Sequence, residues 1–267
     1  MYRLVFCDFD RTVATRQFTV NPAVRRAMQG VIDANAWITI ATGRGYQTLR
    51  PYLDGVPVNA PFVLCNGGLI LEPHTLEPLH LQPMPLPLAH ALARLAQAEG
   101  FTIWFYIDDL QTMLDNQTED GRFVLRRDGS VVSEVLDPVA ALSAPPHKAV
   151  AVAASDEGTE DLIALMQRVA GDQGRVIASR PRMVEVILPG ISKARGLAWV
   201  AKHLGVARDE VLAIGDADND VEMVEWAGLG VAMGNATPAV KAVADWIAPS
   251  VDEDGAAAAL ERFVLGG

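Results

Sequence analysis

Near the start of the chain, the hydrophobic positions alternate between strand-like and helix-like patterns. Short runs at residues 4–7, 37–41 and 62–65, which are apolar except for Thr39, are typical of strands buried on both faces. Between the first two runs, Asn21 and Pro22 suit the cap and the first position of a helix, and the apolar residues that follow are spaced for one helix face. This alternation predicts a parallel sheet with helices on both faces.

This alternation ends after Asn66, which is followed by two glycines. The apolar run at residues 69–71 and the segment Leu79-His80-Leu81 indicate a hairpin, and a proline cluster at residues 83–87 is typical of a linker. The segment beyond the linker mixes helix and strand patterns, as an α+β unit does. It contains predicted helices at 88–98 and 159–169 and predicted strands at 102–107, 111–114, 149–153, 176–178 and 183–188.

The pattern of a parallel sheet returns after Lys193. The chain then alternates predicted helices at 194–204, 221–226, 238–244 and 256–264 with predicted strands at 211–214, 229–232 and 246–248. We therefore predict an α/β fold, with a doubly wound, Rossmann-like parallel-sheet core at residues 1–83 and 189–267. An α+β domain at residues 84–188 is inserted into this core.

Composition narrows the classes of function. The 267 residues include 33 Asp and Glu against 22 Lys and Arg, which gives a formal charge of −11, and 50% of the residues are hydrophobic. The apolar half suits a folded core and excludes a disordered chain. The negative charge argues against nucleic acid and anionic membrane surfaces as partners, but not against a small phosphorylated molecule.

The two cysteines, Cys7 and Cys65, form no metal-binding or disulfide pattern and are typical of reduced, buried thiols. The chain shows no signal-peptide pattern and no apolar stretch of membrane-spanning length. We therefore expect a cytoplasmic protein. The oligomeric state stays open between a monomer and a homo-oligomer.

Four acidic residues follow two of the predicted buried strands. Asp8 and Asp10 come after the first strand, and Asp216 and Asp220 come after the strand at residues 211–214. Ligands of open parallel sheets bind at the carboxyl ends of strands, where these carboxylates converge if the two strands are neighbours. Carboxylates so close repel one another unless a cation neutralises them, and a set of oxygen ligands fits Mg²⁺.

Cationic and small residues occupy the same layer of the predicted sheet. Thr42, Gly43 and Arg44 follow the second strand and lead into a helix, whose first amide groups favour an anion. Lys193 stands at a helix start, where its charge opposes the helix dipole, so a phosphate or the acidic cluster is its expected partner.

Taken in order, these segments resemble the four motifs of the haloacid dehalogenase superfamily of phosphohydrolases. The matching segments are Asp8-Phe9-Asp10-Arg11-Thr12, Thr42-Gly43-Arg44, Lys193 and Gly215-Asp216-Ala217-Asp218-Asn219-Asp220. Residues 232–236, 240–245 and 252–255 are similar to the Cof-type, class IIB branch of that superfamily. The insertion between the second and third motifs is where that branch carries a cap, a lid over the site that selects substrates.

The resemblance implies a role for each motif. Asp8 would be the nucleophile that forms an aspartyl-phosphate, and Asp10 the general acid and base. Mg²⁺ would be held by Asp8, the backbone carbonyl of Asp10, and Asp216, while Asp220 would support the metal's waters or orient Lys193. The groups that would bind the phosphoryl oxygens are Thr42, the amides of Gly43 and Phe9, Asn219 and Lys193.

Several arginines are candidates to contact the substrate. Arg11 departs from the family motif, which usually has glycine there, and it would narrow the site, bind a second anionic group of the substrate, or point outward. Arg44 lies in the second motif, and Arg180 and Arg182 lie near the end of the inserted domain. The weaker candidates in that domain are Tyr106, Asp108 and His147.

The favoured function is a Mg²⁺-dependent phosphatase of small phosphorylated metabolites, such as sugar phosphates. A phosphomutase of the same family and a non-catalytic module that binds phosphorylated metabolites are the alternatives. A dinucleotide-dependent oxidoreductase ranks lower, because the first strand is followed by Asp8 and its neighbours where a glycine-rich loop would be needed.

Overall fold

The computed structural model describes residues 2–107, 110–114, 132–135, 138–180 and 182–266. Asp108 lies outside the described residues, as does the side chain of Arg180. The chain forms two compact units. The core unit comprises Met1–Arg44, Tyr52–Leu81 and Ser192–Gly267, and the inserted unit comprises Gly45–Pro51 and Gln82–Ile191.

Strands and helices are numbered here in chain order. The strands are β1 (Leu4–Cys7), β2 (Trp37–Ile40), β3 (Phe62–Leu64), β4 (Leu69–Leu71), β5 (Pro78–Leu81), β6 (Thr102–Ile107), β7 (Leu110–Leu114), β8 (Val132–Val135), β9 (Lys148–Val152), β10 (Arg175–Arg180), β11 (Met183–Ile187), β12 (Val211–Gly215), β13 (Leu229–Ala232) and β14 (Trp246–Ile247). The α-helices are α1 (Pro22–Asp33), α2 (Tyr46–Leu49), α3 (Leu86–Glu99), α4 (Pro138–Ala141), α5 (Gly158–Ala170), α6 (Lys193–Leu204), α7 (Val221–Trp226), α8 (Pro238–Val243) and α9 (Gly255–Leu260).

The main sheet of the core unit is parallel, in the order β14-β13-β12-β1-β2. Its strand β1, which lies between β12 and β2, is completely buried, as its apolar run predicts. Cys7 lies opposite Ile214 in β12 and Ile40 in β2, so the chain leaves these strands at the same edge. The strand order reverses beside β1, and this is the position at which open α/β sheets bind ligands.

The strand β3 differs from its predicted place in the parallel sheet. It meets the end of β2 only through one parallel bridge, between Ala41 and Val63, and forms its ladder with β4, which is antiparallel. The backbone turns sharply after β3, because Cys65 and Asn66 adopt positive φ angles of 51° and 58°. This turn returns the chain along β3 and builds the three-stranded sheet β3-β4-β5, which contains the predicted hairpin.

The inserted unit contains a six-stranded sheet in the order β10-β11-β9-β6-β7-β8. All neighbours in it are antiparallel except β7 and β8, so the unit has the predicted α+β character. Alternate residues of β6 face opposite sides of the sheet. Ile103 and Phe105 join a hydrophobic cluster with residues of α3 and α5, while Trp104 and Tyr106 join a second, smaller cluster.

Among the described residues, no helix combines the length and the hydropathy needed to cross a membrane.

Gly67 shows how tightly the turn after β3 packs against the start of α6. Its φ is +100°, and a Cβ atom there would lie 2.3 Å from the backbone oxygen of Ser192. We expect Gly67→Ala to lower the free energy of unfolding by about 3 kcal/mol or more, because two backbone segments must separate. The measurement is urea denaturation of both proteins.

Gly205→Ala is the matched control for this substitution. Gly205 also has a positive φ, +66°, but no heavy atom lies within 4 Å of the added Cβ position. It should therefore lose only about 1 kcal/mol, the cost of the backbone conformation. Equal losses in the two variants would contradict the role of the close approach at Gly67.

Candidate active site

The sheet edge beyond β1 and β12 brings three carboxylates together. Asp8 follows β1, Asp216 follows β12, and Asp220 ends the short turn before α7. Ligand oxygens of the three lie within 4.8 Å of one another, and all three residues are buried. Gly215 permits this approach, because a Cβ atom there would lie 2.5 Å from the Cβ of Asp220.

Lys193 compensates two of these carboxylates. It is the first residue of α6, and its Nζ donates hydrogen bonds of 2.6 Å to Oδ1 of Asp8 and to Oδ1 of Asp220. Burial works to lower the pKa of Lys193, but the charges of Asp220 and Asp8 outweigh it and raise that pKa above its usual value. The ammonium group is therefore positively charged at neutral pH.

Both carboxylate oxygens of Asp220 accept hydrogen bonds from neighbouring groups. Its Oδ2 accepts hydrogen bonds from the backbone amides of Asp216, at 2.9 Å, and Ala217, at 3.0 Å, while its Oδ1 faces Lys193. These contacts fix the loop after β12 and the position of the ammonium group. Its contact with Lys193 is the one that the predicted role in orienting that ammonium group requires, and both predicted roles stay predictions.

An added cation would stabilise the charged forms of Asp8 and Asp216, because both have raised pKa values. Burial raises the pKa of Asp8 well above its usual value, with Lys193 opposing the shift. Burial also raises the pKa of Asp216 to about 7, and the negative charge of Asp220 adds to this shift. For a buried carboxylate with so raised a pKa, the positive charge nearby does not offset the cost of burial. The oxygen-only donors therefore fit a hard divalent cation such as Mg²⁺.

Asp10 forms a separate ion pair with Arg44. The guanidinium donates to both carboxylate oxygens, from Nε at 2.8 Å and from Nη2 at 2.7 Å. Arg44 is buried, and its guanidinium carbon lies 5.8, 4.9 and 5.3 Å from the ring centres of Phe9, Phe18 and Tyr52. The structure thus places Arg44 as the partner of Asp10, inside an aromatic enclosure.

The second and fourth motifs meet through Asn66, which sequence reasoning missed. Asn219 donates from Nδ2 to Oδ1 of Asn66 at 2.9 Å, and a Cβ atom at Gly43 would lie 3.1 Å from the same oxygen. Thr42 is buried, and its hydroxyl accepts a hydrogen bond from the amide of Arg44. The sequence signal for Asn66 is its place directly after a buried strand and before two glycines.

Asn235 is a second residue that sequence reasoning left without a role. Its Nδ2 donates to Oδ2 of Asp216 at 3.2 Å and to the backbone oxygen of Arg11 at 3.0 Å. Its Oδ1 accepts from the amide of Val251. Asn235 therefore connects Asp216 to the segments of Arg11 and Val251. The feature of the sequence that could have indicated this role is a polar residue in the loop that follows β13.

Arg11 lies beside Asp216. Its Nη1 is 3.8 Å from Oδ2 of that carboxylate, and its side chain is 44% exposed. The φ of Arg11 is +65°, a conformation that glycine adopts most readily, which accounts for the glycine of the motif that this segment resembles. Asp216 has a further neighbour in the buried Thr12, whose hydroxyl donates to Oδ1 at 3.5 Å.

The remaining candidates lie in the inserted unit. Arg182 donates from Nε to the backbone oxygen of Ala153 at 2.8 Å. Tyr106 is buried, and its ring centre lies 5.6 Å from Nζ of Lys148. The backbone amide of His147 donates to the carbonyl of Tyr106. The contacts described for these residues are internal to this unit.

The two cysteines are buried and free, as their pattern predicts. Burial raises the pKa of Cys7 to about 12, and the negative charge of Asp8 adds to this shift, so the thiol stays protonated and unreactive.

Comparison with known proteins identifies the family. A family model described as haloacid dehalogenase-like hydrolase matches residues 5–260. The chain is 30% identical to the HMP-PP phosphatase of Yersinia enterocolitica, with 90% of this chain and 87% of that protein covered. It is 26% identical to the 5-amino-6-(5-phospho-D-ribitylamino)uracil phosphatase YitU of Bacillus subtilis, with 97% of each covered.

One relative is much longer than this chain. The chain is 28% identical to the chloroplastic endoribonuclease YBEY of Arabidopsis thaliana, with 99% of this chain matched, but it spans only 47% of that protein. Among solved structures, a haloacid dehalogenase-like hydrolase from Bacteroides thetaiotaomicron has a TM-score of 0.90 at 25% identity, with 98% of this chain and 99% of that chain covered.

The raised pKa of Asp216 predicts a pH dependence of stability. The folded state holds a proton on this carboxyl up to pH 7, whereas the unfolded state releases it near the ordinary value of 3.8. Stability of the metal-free protein should therefore fall as the pH rises between these values, by on the order of 2–4 kcal/mol from this group. Urea denaturation in EDTA across this pH range, for wild type and Asp216→Asn, measures the effect.

The difference between wild type and Asp216→Asn isolates the contribution of this one carboxyl group. Asp218→Asn is the control, since Asp218 is an exposed acid of the same loop. It should keep the wild-type slope. Parallel curves for wild type and Asp216→Asn would show that the folded state does not disfavour the charged form of Asp216.

Proposed function

The chain belongs to the haloacid dehalogenase-like hydrolase family and is a phosphatase of that family, and from this premise we propose that it hydrolyses phosphomonoesters of small metabolites through an aspartyl-phosphate on Asp8, with Mg²⁺ as cofactor. The observation that carries the proposal is the buried pair of Asp8 and Lys193, with Nζ 2.6 Å from one carboxylate oxygen. Lys193 compensates the charge of the nucleophile, and the neighbouring carboxylates are able to hold a second cation.

In the proposed first step, a carboxylate oxygen of Asp8 attacks the phosphorus atom and the bond to the ester oxygen breaks. Asp10 donates a proton to the leaving oxygen, so that an alcohol departs. Mg²⁺, held by Asp8, the backbone carbonyl of Asp10, and Asp216, would neutralise charge on the phosphoryl oxygens. Lys193 reduces the repulsion between the nucleophile and the dianionic substrate.

In the second step, water attacks the phosphorus atom of the aspartyl-phosphate, and the bond to Asp8 breaks to release inorganic phosphate. Asp10 takes a proton from this water. The two-oxygen contact with Arg44 fixes the direction of the carboxyl group of Asp10. In this proposal Arg44 is a positioning residue.

The phosphoryl group would be held by donors from four segments of the core unit. We assign this role to the hydroxyl of Thr42, the amides of Gly43 and Phe9, the side-chain amide of Asn219, and Lys193. The contact between Asn219 and Asn66 supports the assignment, because it orients one donor toward the second motif. The donors together suit a tetrahedral dianion.

We infer the substrate class from the names of the relatives. Two of the relatives compared above are named HMP-PP phosphatase and 5-amino-6-(5-phospho-D-ribitylamino)uracil phosphatase, and we propose a small phosphorylated metabolite as the substrate of this chain. We further propose that the core domain spans residues 1–83 and 189–267. The inserted domain, residues 84–188, would select the leaving group, with Arg180 and Arg182 among its contacts.

The nucleophile assignment has a direct test. Asp8→Asn keeps the size of the side chain but removes the charge that attacks phosphorus, so hydrolysis of p-nitrophenyl phosphate with Mg²⁺ should fall by about 1,000-fold or more. Circular dichroism should show an unchanged fold. Asp218→Asn, the control with an exposed acid, should retain nearly full activity, and near-normal turnover by Asp8→Asn would refute the assignment.

Hydrolysis is also separable from phosphoryl transfer back to a sugar. With a hexose phosphate as substrate, the proposed phosphatase should release one inorganic phosphate for each ester consumed. A colorimetric phosphate assay and chromatography of the sugars give the two quantities. Formation of an isomeric hexose phosphate without free phosphate would support the mutase instead.

A further inference from the structure

Arg11 combines an unusual backbone conformation with a place at the edge of the carboxylate cluster. Its φ of +65° is one that residues other than glycine, asparagine and aspartate rarely adopt. The turn is held from both sides: the amide of Arg11 donates to the oxygen of Ala14, and its carbonyl accepts from Asn235. Such a conformation at a site is a reason to look for a role of the side chain.

The charges at the sheet edge are compensated unequally. Lys193 contacts Asp8 and Asp220, and Arg44 uses two nitrogens on Asp10. Asp216 instead receives hydrogen bonds from neutral groups and lies 3.8 Å from the guanidinium of Arg11. Among the described residues, Arg11 is the cation that forms an ion pair with Asp216.

The ion pair between Arg11 and Asp216 is long and exposed on one side, and both features favour its dissociation. Its distance exceeds that of a hydrogen bond, and 44% of the Arg11 side chain is exposed whereas Asp216 is 2% exposed. Because much of the Arg11 side chain already contacts water, the guanidinium can move away from Asp216 at little cost, while the carboxylate stays in place. Lys193, by contrast, is completely buried and cannot leave its partners in this way.

We propose that Arg11 is the exchangeable counter-ion of Asp216: it neutralises this carboxylate before the divalent cation binds, and it is displaced when that cation arrives. Arg11 thereby lowers the affinity of the site for Mg²⁺. The inference rests on the proposed function, because that function places the cation at Asp8 and Asp216. It concerns a residue that contributes no metal ligand.

The experiment is titration calorimetry of MgCl₂ into the metal-free, substrate-free full-length protein at pH 8 and low salt. Arg11→Gln removes the competing charge and should bind Mg²⁺ about threefold to tenfold more tightly than wild type. Arg11→Gly should show a similar gain, and it also relieves the backbone at φ +65°. Arg11→Lys keeps the charge and should stay within about twofold of wild type.

Arg3→Gln is the matched control for net charge. Arg3 pairs with Glu210 before β1 begins, whereas the site lies beyond the other end of that strand. This variant should leave the affinity for Mg²⁺ unchanged. The gain in Arg11→Gln should also shrink as KCl is raised, because salt weakens exposed ion pairs.

An unchanged or weaker affinity in Arg11→Gln, or an equal gain in Arg3→Gln, would overturn the inference. If wild type binds Mg²⁺ and hydrolyses phosphomonoesters in those cases, the proposed function survives. If wild type binds no divalent cation, the inference falls together with the cofactor assignment. Assaying hydrolysis in the same preparation distinguishes these failures.

Discussion

The ammonium group of Lys193 is the interaction on which the arrangement of the site depends. Three buried carboxylates within 4.8 Å of one another repel, and a fold that brings them together must supply positive charge. Lys193 does so from the first turn of α6 and joins Asp8 and Asp220, which follow different strands of the sheet. Loss of a partner from such a buried pair costs about 3–5 kcal/mol, so the contact holds the loops as well as the charges.

The other charges of the site are arranged around that contact. Asp10 is paired with Arg44 and held within an aromatic enclosure, which fixes a carboxyl group that must both give and take a proton in the proposed mechanism. Asp216 remains the carboxylate with the weakest compensation, and its raised pKa expresses the same deficit. The formal charge of −11 thus says little about an anionic substrate, because the balance of charge is local.

Strand ends and motifs made most of the site's location predictable from the sequence. Asp8 and Asp216 lie at neighbouring strand ends because apolar runs mark β1 and β12 clearly, and parallel strands end at one edge. Asn66 and Asn235 were not predictable in the same way, since their contacts depend on loop conformations that hydrophobic periodicity does not encode. The pairing of β3 with β4 likewise depends on a turn with positive φ angles rather than on the apolar run itself.

The place of β1 between β12 and β2 has a consequence for how the protein is made. β1 pairs on one side with β2, which follows it closely in the chain, and on the other with β12, which is synthesised only after the whole inserted unit. On the ribosome, one edge of β1 therefore stays open while that unit emerges. The inserted unit has its own sheet and hydrophobic cluster, so it can acquire structure during this interval. Closure of the main sheet and assembly of the carboxylate cluster then become the same late event.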